Sequence, residues 1–577
     1  VRRLRRWFWG AVFAVAYRGQ QLGFPPRDFT LIVRNGVVHD GLRGEPLQAD
    51  IGIVKDRIVA IGDLSRASAQ QELDARGLAV APGFINTLSW ATESLLVDPA
   101  GESDIRQGVT LEVFGEGVSM GPMTPAMRRA LEDRHRDRNL HVDWQSLGEY
   151  LERLERRGVV PNVASLVGAS TVRTHVMGYA HREADRNEVA QMCQLVRESM
   201  REGALGVGSA LIYAPAACAS RTELLALAST AAEFGGAYFS HVRSETAGLV
   251  AAVDEVIDIA RATRQHAEVY HLKAAGRANW HLADAVIERI EAARRTGVDV
   301  SANMYPYTIA ATGLDAAMPP WVQEGGAEHW FARLDDPNNR ERLLREIGAP
   351  GEGWENLYHA AGSAERVHLL GLRQPHLREL NGMTLAAVAA ARGVSAEQTM
   401  IDLVREDRSR VTAAFDVMSE RNVERQLALP WVALCSDAEA LAPRGTFLDE
   451  RPHPRAYGSF ARFLGQYVRE RRVATLPEAI RRLTSLPARN LKLRDRGELR
   501  PGAYADIVVF DPTTISDHAT IAEPHRFSTG VEHVIVNGQV VLRDGAMTGL
   551  RPGRFVRGPG FNVTAAEVGE QLPKAAG

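Results

Sequence analysis

The sequence is short of cysteine, of lysine and of net charge. Its three cysteines, Cys193, Cys218 and Cys435, are far apart and odd in number, which excludes a disulfide framework and a CxxC metal or redox motif. Any metal must therefore be held by histidine and carboxylates. Of 68 basic residues only Lys55, Lys273, Lys492 and Lys574 are lysine. The excess of arginine reflects coding bias, and a lysine that survives it marks a place suited to a compact ammonium rather than a guanidinium fork. A net charge of −3 lacks the basic excess of a dedicated nucleic-acid binder, so no nucleic-acid partner is expected. The apolar run from Trp7 extends about eleven residues, well below the roughly 20 that span a bilayer as a helix.

That run belongs to a distinct start. Val1 to Tyr17 reads VRRLRRWFWGAVFAVAY, four arginines and then apolar residues, with Ala14-Val15-Ala16 as a small-x-small cleavage site. This is the outline of a signal peptide or short anchor. Residues 1–28 are expected to be a leader outside the fold. It would either export the chain to the periplasm or tether it to a membrane; the alternative is a cytoplasmic chain with an amphipathic extension.

The rest has the composition of a globular protein, 45% hydrophobic and 24% charged, and its length suggests two to four domains or one large barrel with appendages. TLIVRNGVVHDG places Asn35-Gly36 between two apolar runs, a hairpin signal, and DIGIVKDRIVAIGDL follows with a Lys55-Asp56-Arg57 turn. The same design returns near the other end in ADIVVFDP and VEHVIVNGQVVLRDG, with its own Asn537-Gly538 turn. Ends that share an architecture absent from the middle predict one small β-domain assembled from both, from residues 29–79 and 495–560, followed by a flexible tail over 561–577.

Between them, apolar β-rich runs alternate with helical stretches, the order of a parallel sheet with helices outside. Candidate strands cover 79–85, 109–114, 163–168, 204–209, 237–242, 267–272, 298–304 and 432–436. Eight such units predict an α/β fold, a closed TIM-like (β/α)8 barrel over 80–494. Helices are expected from Ser220 to Gly235-Gly236 and from Trp280 to Gly297. The spacing breaks before the last strand, so about 305–430 reads as an insertion, with further β-like runs RVHLLGL and RVTAAFDVM, that covers the barrel mouth.

Barrel chemistry sits at the carboxyl ends of the strands, and ionisable residues fall there: Glu116 in GEG after 109–114, His241 in YFSHVRSE, His271 in VYHLKAAG and Asp437 in ALCSDAEA. Two histidines and two carboxylates on one rim suit a divalent metal such as zinc with a general base. A Gly-flanked Glu116 can also simply cap the next helix. Lys273 follows His271 by two residues, so strand alternation would place both on one face, where an ammonium could hold a carboxylate or polarise a carbonyl. Tyr213, Arg243, Tyr305, Tyr307 and Arg455 lie in adjoining loops and could line a pocket for an anionic, partly apolar substrate.

The combination of NGVVHDG, LAVAPGFI, QGVTLEVFGEG, EGALGVGSALIYAP, SHVRSE, HLKAAGRANW, SDAEA, RPHPRAYGSF and LTSLPARNLKL with RGELRPGAYADIVVFD resembles the N-acyl-D-amino-acid deacylases (D-aminoacylases) of the amidohydrolase superfamily, over about residues 29–555. The resemblance implies a metal-dependent (β/α)8 barrel with a small β-sandwich. It also implies hydrolysis of a small N-acyl-D-amino acid to a carboxylate and a free D-amino acid. By motif, His241 and His271 look like metal ligands, Asp437 like the aspartate that accepts the proton of the attacking water, and Lys273 and Tyr213 like substrate contacts. There are two departures. Where the family carries PGFID and then His-x-His, this chain reads PGFINTLSW, with Leu88 and Trp90 at the histidine positions. Where the family carries Asn-Cys after strand two, this chain has Glu116. The expectation is one zinc ion per chain, held by Glu116, His241 and His271. Rival readings are an amidohydrolase acting on another amide, a cyclic amide or an ester, and a non-catalytic binding protein with a decayed metal site; the survival of His241, His271, Lys273 and Asp437 together speaks against decay. No feature of the sequence signals an oligomeric state.

Overall fold

Strands from the two ends of the chain pair with one another. In the computed structural model, which describes residues 29–135 and 140–561, nine strands form one sheet. Its path runs Ala546–Met547, Gln539–Arg543, Val531–Val536, Ile507–Phe510, Ala79–Pro82, Phe29–Val38, Leu47–Val54, Arg57–Gly62, with Ala69–Asp74 also paired to Phe29–Val38. The junction is antiparallel, Ile507 opposite Pro82 and Phe510 opposite Ala79. Period-two alternation explains why these strands are apolar throughout. Ile507 and Val509 pack with Leu31, Val33, Ile51 and Ile535, while Val508 and Phe510 face the main core. The expected leader, and the tail from residue 562, lie outside the described residues. Among the described residues no helix is long and apolar enough to cross a membrane.

The turns follow the sequence at two of three places. Asn537 and Gly538, both with positive φ (47° and 77°), join Val531–Val536 to Gln539–Arg543, as a two-residue hairpin requires. Lys55-Asp56 joins Leu47–Val54 to Arg57–Gly62. Asn35-Gly36 is no turn. Asn35 is left-handed (φ 58°), and the pair forms a bulge inside the ten-residue strand Phe29–Val38, where the register to Leu47–Val54 shifts. The Asp50 carboxylate accepts the Asn35 backbone N–H at 2.8 Å, so the ladder absorbs the extra residue and continues.

The middle of the chain supplies eight parallel strand segments: β1 (Phe84–Asn86), β2 (Val109–Phe114), β3 (Asn162–Ser165, resuming at Val167–Gly168), β4 (Gly206–Ala210), β5 (Ala237–His241), β6 (Ala267–Val269), β7 (Val300–Met304) and β8 (Val432–Leu434). They pair in chain order as two runs that meet at the break in β3. Beyond β8 and β1 the chain bonds to itself again, Asp437 N–H to Leu88 C=O and Trp90 N–H to Ala438 C=O, both 2.9 Å. The run read as one strand over 79–85 is two: Ala79–Pro82 belongs to the terminal sheet and β1 starts only after Gly83. A Cβ on Gly83 would lie 2.1 Å from Thr110 Oγ1, so glycine permits the crossing from sheet to sheet.

Helices cover the strands where expected. Arg221–Ala232 is capped by the Ser220 hydroxyl, which accepts the Glu223 N–H, a contact worth about 1 kcal/mol. Leu282–Arg295 gives way at Gly297, left-handed at φ 89°. Between β7 and β8, Ile309–Gly313, Thr412–Asp416 and Val367–Gly371 make a separate three-stranded antiparallel sheet, so RVHLLGL and RVTAAFDVM are both strands.

Candidate metal centre

Glu116 is aimed inward by its flanking glycines. Gly115 and Gly117 have φ of 111° and 66°, and a Cβ on Gly115 would sit 2.3 Å from the Leu166 carbonyl oxygen. Only glycine allows β2 to bend this sharply against β3. His241 is the last residue of β5. His271 follows β6 in a left-handed turn (φ 31°), its backbone N–H donated to Asn303 Oδ1 at 2.6 Å.

All three side chains are buried and converge on one point. Glu116 Oε1 lies 2.9 Å from His241 Nδ1 and 2.8 Å from His271 Nε2. The two rings meet edge to face, 4.5 Å between centroids. Among the described residues these three form the cluster of His, Cys, Asp and Glu whose ligand atoms all fall within 4.8 Å of one another. Burial pushes the Glu116 carboxyl up, but the imidazoles of His271 and His241 outweigh it and hold the group well below the usual carboxylate range. Burial and Lys273 push His271 down, and the carboxylates Glu116 and Asp437 more than offset them, carrying it up to about 9. Two nitrogen donors and one anionic oxygen in a dry pocket fit a zinc ion and leave a position free for water.

Asp437 is outside that cluster. Its two oxygens are held separately, Oδ1 by the Trp90 indole N–H at 3.1 Å and Oδ2 by Arg455 Nη1 at 2.6 Å. Burial pushes its carboxyl up from the ordinary value, against the pull of Arg455 and His271. Lys273 and His271 do touch, Nζ to Nδ1 at 2.8 Å, though not by strand alternation. β6 ends at Val269, and the left-handed turn at His271 brings the ammonium round.

The expected substrate contacts divide. Tyr305 lies beside the cluster, its ring 6.4 Å from that of His271 and 4.7 Å beneath the Arg455 guanidinium. Its hydroxyl and Arg455 Nε are buried without a hydrogen-bond partner. Tyr213 packs edge-on to His241 at 5.3 Å and shares a hydrogen bond with Thr312 Oγ1 at 2.9 Å. Arg243 is turned away, held by Glu255 and the carbonyls of Ala217 and Ala219. Tyr307 is also turned away, its hydroxyl directed to the Pro454 carbonyl and Asp517. β7 ends at Met304 and strand alternation ends with it: the Tyr307 N–H bonds the Tyr305 carbonyl at 3.0 Å in a tight turn that parts the two side chains, and the Glu255 carboxylate captures Arg243.

One carboxylate at the centre was not singled out from the sequence. Glu245, four residues after His241, is buried with its Oε1 2.5 Å from Lys273 Nζ and 3.3 Å from His271 Nδ1. Burial pushes its carboxyl up, and Lys273 and the imidazoles outweigh that and hold it well below the usual range. The available signal was an acid close behind one strand-end histidine in a chain whose rare lysine follows the next.

A family model described as "Amidohydrolase family" matches residues 71–542. The chain is 35% identical to the N-acyl-D-glutamate deacylase of Alcaligenes xylosoxydans xylosoxydans, over 91% of this chain and 96% of that one. It superposes on the crystal structure of N-acyl-D-glutamate deacylase from Bordetella bronchiseptica, complexed with zinc and a phosphonate inhibitor, with a TM-score of 0.76 and 31% identity. That match covers 92% of this chain and all, 100%, of that one. A D-aminoacylase structure, described by one-metal activation and second-metal attenuation of a binuclear centre, matches with a TM-score of 0.75 and 32% identity over 92% of this chain and 100% of its own.

Proposed function

Because the chain belongs to the amidohydrolase family, we propose that it is a zinc-dependent deacylase that hydrolyses the amide of N-acyl-D-amino acids to a carboxylate and a free D-amino acid. The observation that carries this reading is the convergence of Glu116, His241 and His271 on one buried point. These residues would hold the ion, which when bound supplies Lewis acidity to water and to the scissile carbonyl. Asp437, made more proton-avid by burial, takes the proton of the attacking water and returns it to the departing amine. Arg455 and the Tyr305 hydroxyl, with buried polar atoms awaiting partners, receive the α-carboxylate. Lys273 keeps a positive charge beside the ligand set, and Tyr213 walls the substrate side.

The same reading takes one ion per chain. Leu88 is fully buried, and the one polar atom of the Trp90 side chain is spent on Asp437, so neither offers a ligand where the resemblance places His-x-His. It also takes the eight parallel strands as one closed barrel, supported by the bonds between Leu88 and Asp437 and between Trp90 and Ala438. The terminal strands are then a small sandwich, supported by their shared apolar cluster.

The test is a panel of N-acetyl-D- and N-acetyl-L-amino acids, scored by release of free amine, with zinc counted by elemental analysis. Release from the D series and about one zinc per chain are expected, both lost in Glu116→Ala and His271→Ala. Equal rates on the two enantiomers, or no release at all, would remove the deacylase reading.

A further inference from the structure

The two imidazoles present opposite nitrogens to Glu116, Nδ1 from His241 and Nε2 from His271. With the rings nearly perpendicular at 87°, the nitrogens left over, His241 Nε2 and His271 Nδ1, come back together on the far side. Both face one atom: Glu245 Oε1 lies 3.6 Å from the first and 3.3 Å from the second. His241 Nε2 is buried and has no hydrogen-bond partner. The same oxygen accepts from Lys273 Nζ at 2.5 Å.

An imidazole that gives one nitrogen to a metal carries its proton on the other, and in a dry site that N–H needs an acceptor. Lys273 Nζ is near His271 Nδ1 but is a donor only. Glu245 is the acceptor that faces both rings. It is fixed from outside, since its carbonyl accepts the Ala275 N–H at 2.7 Å and the next residue, Thr246, donates its hydroxyl to Glu355 of the inserted region at 3.0 Å. We propose that Glu245 is the positioning residue of the centre, a single carboxylate oxygen that orients both ligand histidines for metal and anchors the Lys273 ammonium beside them. This rests on the reading of Glu116, His241 and His271 as the ligand set.

The experiment measures zinc affinity of the full chain by chelator competition, with the visible spectrum of the cobalt-substituted protein as a second readout. Glu245→Ala is expected to weaken zinc binding about 100-fold and Glu245→Gln, which keeps a neutral acceptor, about 10-fold, each with a changed cobalt spectrum. Lys273→Met should bind zinc as tightly as the parent. The double variant Glu245→Gln/Lys273→Met removes both buried charges together, so it keeps the test valid if a lone substitution fails to fold; it should retain the Glu245→Gln loss. Parental affinity in Glu245→Ala or in the double variant, or an equal loss in Lys273→Met, overturns the proposal. Zinc lost in Glu116→Ala yet kept in Glu245→Ala overturns this role alone, whereas zinc kept in Glu116→Ala overturns the ligand set and this role with it.

Discussion

Glu112 and Glu116 are four residues apart on and just after one strand, and they meet opposite surroundings. Glu116 faces two imidazoles and is held anionic. Glu112 is fully buried, close enough to Asp104 to raise that acid further. Burial carries its own carboxyl up to about 7 against the hydrogen bonds of Ser89 and Asn86. A folded pKa above the free value means that the folded state binds the proton more tightly, so stability is fully present below about pH 4.5 and declines as pH rises through 7. The decline belongs to the Glu112 and Asp104 pair together and is on the order of a few kcal/mol. Glu112→Gln, a neutral isostere, should lessen it. Urea unfolding of the metal-free protein from pH 5 to 8 should show the parent falling relative to the variant, and parallel curves would refute this account. At this scale His241, His271 and Glu116 were legible, because strand ends and flanking glycines are local signals. Glu245 was not, because His271, Lys273 and Ala275, which meet it, belong to the next strand end rather than to its own segment, and neither Arg243 nor Tyr307 carries in its neighbours any sign of which way its side chain turns.

Elements were legible where apolar runs had clear ends and illegible where two runs abutted. The stretch 79–85 is continuously buried, so periodicity alone could not show that its first half serves one sheet and its second half another. The Pro82-Gly83 pair is the local mark. Likewise Asn35-Gly36 has the residues of a hairpin turn, and only the distant Asp50 makes it a bulge. The same contrast between a glycine's sequence and its surroundings predicts two outcomes. Gly115→Ala meets the Leu166 backbone as well as an unfavourable φ. It should lower stability by more than about 2 kcal/mol and reduce zinc per chain, because β2 can no longer turn Glu116 inward. Gly297→Ala has a comparable φ and open space around it; it should cost about 1 kcal/mol and leave zinc unchanged. Thermal midpoints and elemental analysis of the two variants read both effects.

For the whole molecule, the central position of Ile507–Phe510 is decisive. It joins Ala79–Pro82 on one side to Val531–Val536 on the other, and just ahead of it the buried Asp506 carboxylate bonds Arg496, Asn162 and the Asn537 N–H. A chain ending at residue 500 would uncover the apolar cluster around Ile51 and Val80 as well as part of the main core. It should therefore be recovered insoluble or without cooperative unfolding, rather than as a stable barrel lacking an appendage; a soluble, cooperatively unfolding product would contradict this.

The pairing of Ala79–Pro82 with Ile507–Phe510 also sets a clock. A ribosome working at roughly 5–20 residues per second needs on the order of 20–85 s to travel from one strand to the other. Throughout that interval the early strands have emerged with an unpaired apolar edge, the form most prone to join a neighbouring nascent chain. Slowing translation early in the message should therefore do little to soluble yield, whereas a stall in the last third, which lengthens the wait, should lower it.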